Sequence, residues 1–164
     1  MNTKKALTVI LTMALVLGVY GVAHAADTAT QSVSFEVAEI NEITVSGNPG
    51  TLVINAAAPG NDPAPATDSS TTYAITTNGN GKVITAAIDT PMPAGLTLKV
   101  KLDAQDVGAS QGDVVLDATA DPVVTGISKV AKKDLTITYT LSATAEAEAG
   151  SGSRTVTFTL TDAQ

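Results

Sequence analysis

Leu135-Thr136-Ile137-Thr138-Tyr139-Thr140-Leu141 and, after a break, Arg154-Thr155-Val156-Thr157-Phe158-Thr159-Leu160-Thr161 decide the fold class. In both runs every second residue is apolar and its neighbours are almost all threonines. Successive side chains of a β-strand point to opposite faces. Leu135, Ile137, Tyr139 and Leu141 therefore share one face, as do Val156, Phe158 and Leu160. The other face is nearly all Thr, whose β-branched side chain suits a pleated, solvated surface. The intervening Ala145-Glu146-Ala147-Glu148-Ala149-Gly150-Ser151-Gly152-Ser153 is polar and flexible in composition. The expectation is two half-buried strands joined by a polar loop, with those seven apolar residues forming a terminal-strand core.

The same period recurs upstream. Gln31 to Val37 sets Val33, Phe35 and Val37 against Ser32, Ser34 and Glu36, and predicts the first strand. Ile40 to Val45 and Thr51 to Asn55 follow as short strands on either side of Ser46-Gly47-Asn48-Pro49-Gly50. Ala56 to Ser70 reads as a surface loop, because its prolines cannot donate to a ladder. Thr71 to Thr77 and Lys82 to Ile88 flank Asn78-Gly79-Asn80-Gly81, the composition of a β-hairpin turn. Leu96 to Leu102 alternates cleanly. Asp113 to Leu116 and Pro122 to Ile127 are further short strands, and Ser128 to Asp134 is a helical turn or polar bend. No stretch carries a helical period. Nine or ten short strands at this spacing predict a single antiparallel β-sandwich, immunoglobulin-like or jelly-roll-like.

The first 25 of the 164 residues have the form of a secretory signal. Lys4 and Lys5 precede the apolar run Ala6 to Val22, and Ala23-His24-Ala25 offers a small-x-small cleavage site. At 17 residues the run is short for a membrane anchor. Cleavage after Ala25 leaves one sandwich domain, residues 26–164, with a polar lead Ala26 to Thr30. Nothing that follows is expected to insert in a membrane. There is no Cys, so no disulfide and no lipid-bearing cysteine.

The net charge is −7, and −9 once Lys4 and Lys5 are removed, because all 16 acids lie beyond the cut. A strongly acidic chain repels phosphate backbones and anionic lipid, so no nucleic-acid partner is expected. Lys129, Lys132 and Lys133 are the one basic concentration and read as a solvated bend.

The only His is His24, inside the signal. Without Cys or His the mature chain cannot build a Ser-His-Asp or Cys-His centre, nor the usual zinc site. No carboxylate spacing specifies an acid–base pair, although Asp103 with Asp106 and Asp113 with Asp117 are candidates. No enzyme and no cofactor are expected. Calcium is the one alternative: Asn61, Asp62 and Asp68 share a loop, and Asp103, Asp106 and Asp113 surround another. Neither matches a known calcium-loop spacing. Tyr73 and Tyr139 fall on inward positions, which favours packing over sugar stacking.

Behind the signal, Gln31-Ser32-Val33-Ser34-Phe35-Glu36-Val37 and the closing Thr155-Val156-Thr157-Phe158-Thr159-Leu160-Thr161 resemble small secreted β-sandwich subunits of surface filaments and coats. These are donor-strand pilins, biofilm-matrix fibre proteins and spore-coat-like domains. The resemblance implies a non-enzymatic structural or adhesive protein at the cell surface or in the periplasm. Its partners would be copies of itself or other surface proteins, joined by addition of the strand carrying Val33, Phe35 and Val37. The chain lacks the cysteine pair and penultimate aromatic residue usual in chaperone-assembled pilins, which leaves a self-assembling fibre or a monomer. The alternative is a secreted or periplasmic module that binds carbohydrate or calcium.

Overall fold

The computed structural model describes residues 27–163. Its strands all lie within one compact unit, Val37–Gln164. They are β1 (Asn41–Val45), β2 (Ala66–Thr77), β3 (Lys82–Ile88), β4 (Leu96–Leu102), β5 (Ala109–Ser110), β6 (Val114–Val115), β7 (Asp121–Ile127), β8 (Val130–Ala143) and β9 (Val156–Asp162). They form two antiparallel sheets, one ordered β1-β2-β8-β4-β6 and the other β5-β7-β3-β9. The fold is the expected all-β sandwich. The expected signal sequence, residues 1–25, lies outside the described residues.

The inward rows build one core. The first sheet contributes Tyr73 and Ile75 from β2, Leu98, Val100 and Leu102 from β4, and Leu135, Ile137 and Tyr139 from β8. The second contributes Ile84, Ala86 and Ile88 from β3 and Val123, Val124 and Ile127 from β7. Val107 and Leu116 seal it from the connections. Burial pushes the phenols of Tyr73 and Tyr139 up to about 12, so both stay neutral in the physiological range. The Tyr73 hydroxyl donates to the Asp103 carbonyl, which gives its polar end a partner.

The alternation located most strands, but it did not locate their partners. From β2 onward every connection carries the chain from one sheet to the other. Of the two expected variants, this alternation fits the jelly-roll-like one. Asn78 to Gly81 is therefore no hairpin turn: β2 pairs with β1 and β8, whereas β3 pairs with β7 and β9. Turn chemistry reverses a chain without specifying which layer it returns in. The two C-terminal runs are likewise not paired with each other. β8 lies between β2 and β4, and β9 borders β3 in the opposite sheet. Their burial differs accordingly. Leu135, Ile137 and Tyr139 are buried and Leu141 half-buried, while Val156, Phe158 and Leu160 are all half-buried.

Other expectations shift with the same topology. Gln31 to Val37 and Thr51 to Asn55 form no strand. The surface loop ends earlier than expected, because β2 starts at Ala66. The predicted bend at Ser128 to Asp134 is mostly the start of β8, with Lys129 and Asp134 in positive-φ backbone at 44° and 60°. The register of β8 against β2 slips there, from Tyr73 opposite Leu135 to Ile75 opposite Lys132. A bulge thus absorbs the polar residues without ending the strand. At the opposite end of the sandwich, Gly95 has φ +76°, and a Cβ on it would meet the Ala147 nitrogen at 2.6 Å. That close approach seats the connection between β8 and β9, where Thr144 N–H donates to the Gly95 carbonyl at 2.8 Å.

Truncating Ile137, 1 % exposed at the centre of the first sheet, should cost about 2–5 kcal/mol as Ala. Val115→Ala, at a residue 48 % exposed on β6, should cost no more than about 0.5 kcal/mol. Thr71 is buried beside a β2 irregularity with its hydroxyl unpartnered. Thr71→Val should therefore raise stability by about 1 kcal/mol. Equilibrium denaturation of the three variants measures each effect.

Candidate functional site

The two lateral sides of the sandwich are finished differently. On one side the edge strands β5 and β6 are two residues each. The Ser110 hydroxyl of β5 ties the sheets together by donating to the Leu102 carbonyl of β4, while Gln111 N–H donates to the Val123 carbonyl and Leu116 N–H to the Leu98 carbonyl, each extending its own sheet. On the other side the edges are β1 and β9. β1 covers only Tyr73–Thr77 of the 12-residue β2. β9 pairs with β3 in unbroken register from Lys82↔Asp162 to Ile88↔Val156, and its second edge carries no ladder among the described residues.

β9 lacks the features that discourage edge pairing. It contains no Lys, no Pro and no bulge, and its only charge is Asp162 at the end. Its inward row, Val156, Phe158 and Leu160, packs on the core and remains half-exposed. Ile43 of β1 and Leu52 of the following segment are half-buried against the same core. Glu146 and Glu148 lie in the connection before β9 and not on it. Val33, Phe35 and Val37 are 77, 91 and 75 % exposed and belong to no strand.

The start of β1 and the end of β9 meet at a polar junction that sequence reasoning missed. Lys82 shares the inward side of β3 with Ile84, Ala86 and Ile88, and its side chain is only 6 % exposed. Its ammonium lies 2.7 Å from Glu39 Oε1 and 2.6 Å from Asp162 Oδ1. The Asn78 side chain accepts from Ile40 N–H at 2.9 Å and donates to the Ala38 carbonyl at 2.8 Å. Gly79 and Gly81 offer their carbonyls to Lys129 N–H and Ala163 N–H. The turn that resembled a hairpin is thus the tie for three other segments. The available signal was parity: Lys82 falls on the inward side of its own alternating strand.

Hydrogen bonds from Lys82 and Asn41, with the Lys82 charge, hold the Glu39 carboxyl below its ordinary value. The bonds to Asp162 and Glu39 raise Lys82. Glu39 is depressed, so its contribution is present above the ordinary carboxylate range and lost as pH falls through its folded value. Lys82 is raised, so its contribution is present below the ordinary lysine range and lost as pH rises through its folded value. The junction is therefore intact from mildly acidic to mildly alkaline pH.

The remaining candidates disperse. Asp62 caps Ala145 N–H, and Asp103 accepts from Gln105 N–H. Asp68 accepts from the Ser70 hydroxyl and amide, which lower it. Asp106 pairs with Lys132 at 3.2 Å, and Asp117 accepts from Thr119 N–H. Asn61 and Asp113 are exposed. No three acidic or metal-ligating side chains converge among the described residues. An open depression lined by Lys101, Asp103, Ser110, Thr136 and Thr138 sets Asp103 beside a lysine and hydroxyls rather than a second carboxylate. Lys133 lies 3.9 Å from Asp134 at the surface. Tyr73 and Tyr139 are core residues. The chain matches no protein-family profile, no curated protein and no solved structure.

Lys82→Met keeps the aliphatic stem and removes the charge. Thermal unfolding of the wild type should lose stability as pH falls through and below the ordinary carboxylate range, and Lys82→Met should flatten that acid limb while lowering stability at neutral pH. An unchanged acid limb would show that the junction is not its source.

Proposed function

We propose that this chain is an exported, non-catalytic structural subunit that associates with copies of itself by β-strand addition at the cell surface or in an extracellular matrix. The observation that carries the reading is the edge of β9, seven residues long, without a ladder on its second side among the described residues, and backed by the half-exposed row Val156, Phe158 and Leu160. A strand laid there would satisfy the open main-chain groups and cover that row.

The chain also carries a segment of matching form. Residues 31–37 are seven in number, like β9, and alternate Val33, Phe35 and Val37 with Ser32, Ser34 and Glu36. Leaving Phe35 91 % exposed sacrifices a large apolar surface. Burying a Val or Phe side chain contributes about 1.5–3 kcal/mol. Three such residues, with about 0.5–1.5 kcal/mol net per hydrogen bond, work against the cost of ordering a short arm. The signal-like residues 1–25 and the absence of Cys accord with export and with a fibre held by packing and hydrogen bonds alone.

The test is assembly of the purified mature chain, followed by sedimentation and negative-stain microscopy. Wild type should form elongated polymers. Phe35→Asp and a variant lacking residues 26–37 should remain monomeric, with their far-UV spectra retained. A wild type that stays monomeric at millimolar concentration, or Phe35→Asp that polymerises like wild type, would overturn the reading.

A further inference from the structure

The polar junction determines more than local stability, because it decides which way an added strand can run. We propose that residues 31–37 of one copy lie antiparallel to β9 of the next copy, with Val37 beside Val156, Phe35 beside Phe158 and Val33 beside Leu160. Copies then join head to tail in an open chain. This rests on the strand-addition reading above and names the partner, its sense and its register.

Asn78 binds both sides of the Ala38–Ile40 segment, and Lys82 holds Glu39. These ties lie where β1 begins, β3 begins and β9 ends, since Asn41 pairs with Thr77 and Lys82 with Asp162. The arm is thus anchored at the Asp162 end of its own subunit, and no spare residue separates Val37 from the anchored Ala38. β9 runs toward this end from Val156 at the far end.

An arm that reaches a neighbour has two ways in. If the neighbour presents its Val156 end, Val37 comes to lie beside Val156 and Val33 reaches Leu160, so the arm opposes β9 in direction. Donor and acceptor then use different surfaces, a heterologous contact that propagates. If the neighbour presents its Asp162 end, the arm runs parallel to β9 and two copies exchange arms in a closed pair. The same parallel sense results if a chain folds its own arm back. The second entry is obstructed, because the Asp162 end is where the acceptor's own Glu39, Lys82 and Asp162 are bound together. The antiparallel arrangement also sets the apolar rows face to face and places Ser32, Ser34 and Glu36 opposite Thr161, Thr159 and Thr157, with no like charges opposed.

The chain has no cysteine, so single substitutions report the sense directly. Each chain carries one Cys, one partner of each pair carries a size tag, and the mixtures are assembled and oxidised. Directly opposed strand residues have Cα atoms about 4.5–5.5 Å apart, within disulfide reach. A displacement of four residues adds about 13 Å and prevents bonding. Ser32→Cys with Thr161→Cys, and Glu36→Cys with Thr157→Cys, should give mixed dimers in at least tenfold excess over Ser32→Cys with Thr157→Cys and Glu36→Cys with Thr161→Cys. Fibre formation by each variant under reducing conditions is scored alongside. The reverse cross-linking pattern would overturn the proposed sense while leaving strand addition standing. Fibres without either pattern would overturn β9 as the acceptor. Neither fibres nor cross-links would overturn this proposal and the strand-addition reading together.

Discussion

The structure depends on covering aliphatic strand faces with the opposite sheet. There is no disulfide to constrain the unfolded chain, and the aromatic side chains of the core are few. What remains is the interdigitation of Val, Ile and Leu rows, and in this topology no strand after β1 folds back on its sequence neighbour. Each of those connections crosses the core. β8 has the most complete environment, flanked by β2 and β4, with Leu135, Ile137 and Tyr139 in the core. Since the long ladders join strands distant in sequence, Ala66 with Leu141 and Lys82 with Asp162 among them, folding must close long loops before the ladder bonds compensate.

That constraint explains what the residue pattern conveys. Period-two alternation reports which side chains face inward, so Leu135, Ile137 and Tyr139 were legible as core, and a sandwich was legible as the fold. Alternation does not report the identity of the neighbouring strand. Asn78 to Gly81 has hairpin composition, yet its neighbours enter different sheets, because nothing in a two-glycine turn distinguishes a hairpin from an arch between layers. The C-terminal runs show the same limit. They resemble each other, but one occupies the middle of a sheet and the other an edge. Half-exposure of Val156, Phe158 and Leu160 follows from that edge position and not from the residues themselves.

The polar junction illustrates a second limit. A lysine at the start of a strand reads as surface charge, and composition gives no reason to place it elsewhere. Parity does: Lys82 is two residues from Ile84 on the same side. With an inward side chain, its ammonium must meet acceptors where the core ends, and Glu39 and Asp162 supply them from segments 43 and 80 residues away. Such a pair of contacts stabilises less by charge, since both carboxylates are exposed, than by fixing where three chain segments meet.

Fixing that meeting point has a consequence for the open side. One flank of the sandwich is closed by two-residue strands and the chain that joins them, the usual way to blunt an edge. The other flank presents seven uninterrupted residues of β9 with no charge along the strand until Asp162. The strand-addition reading draws on this asymmetry: one unguarded edge, an apolar arm of equal length, and an anchor at the end of that edge. Edge, arm and anchor involve separate stretches of sequence, and only the fold shows that the anchor binds the end of the edge strand.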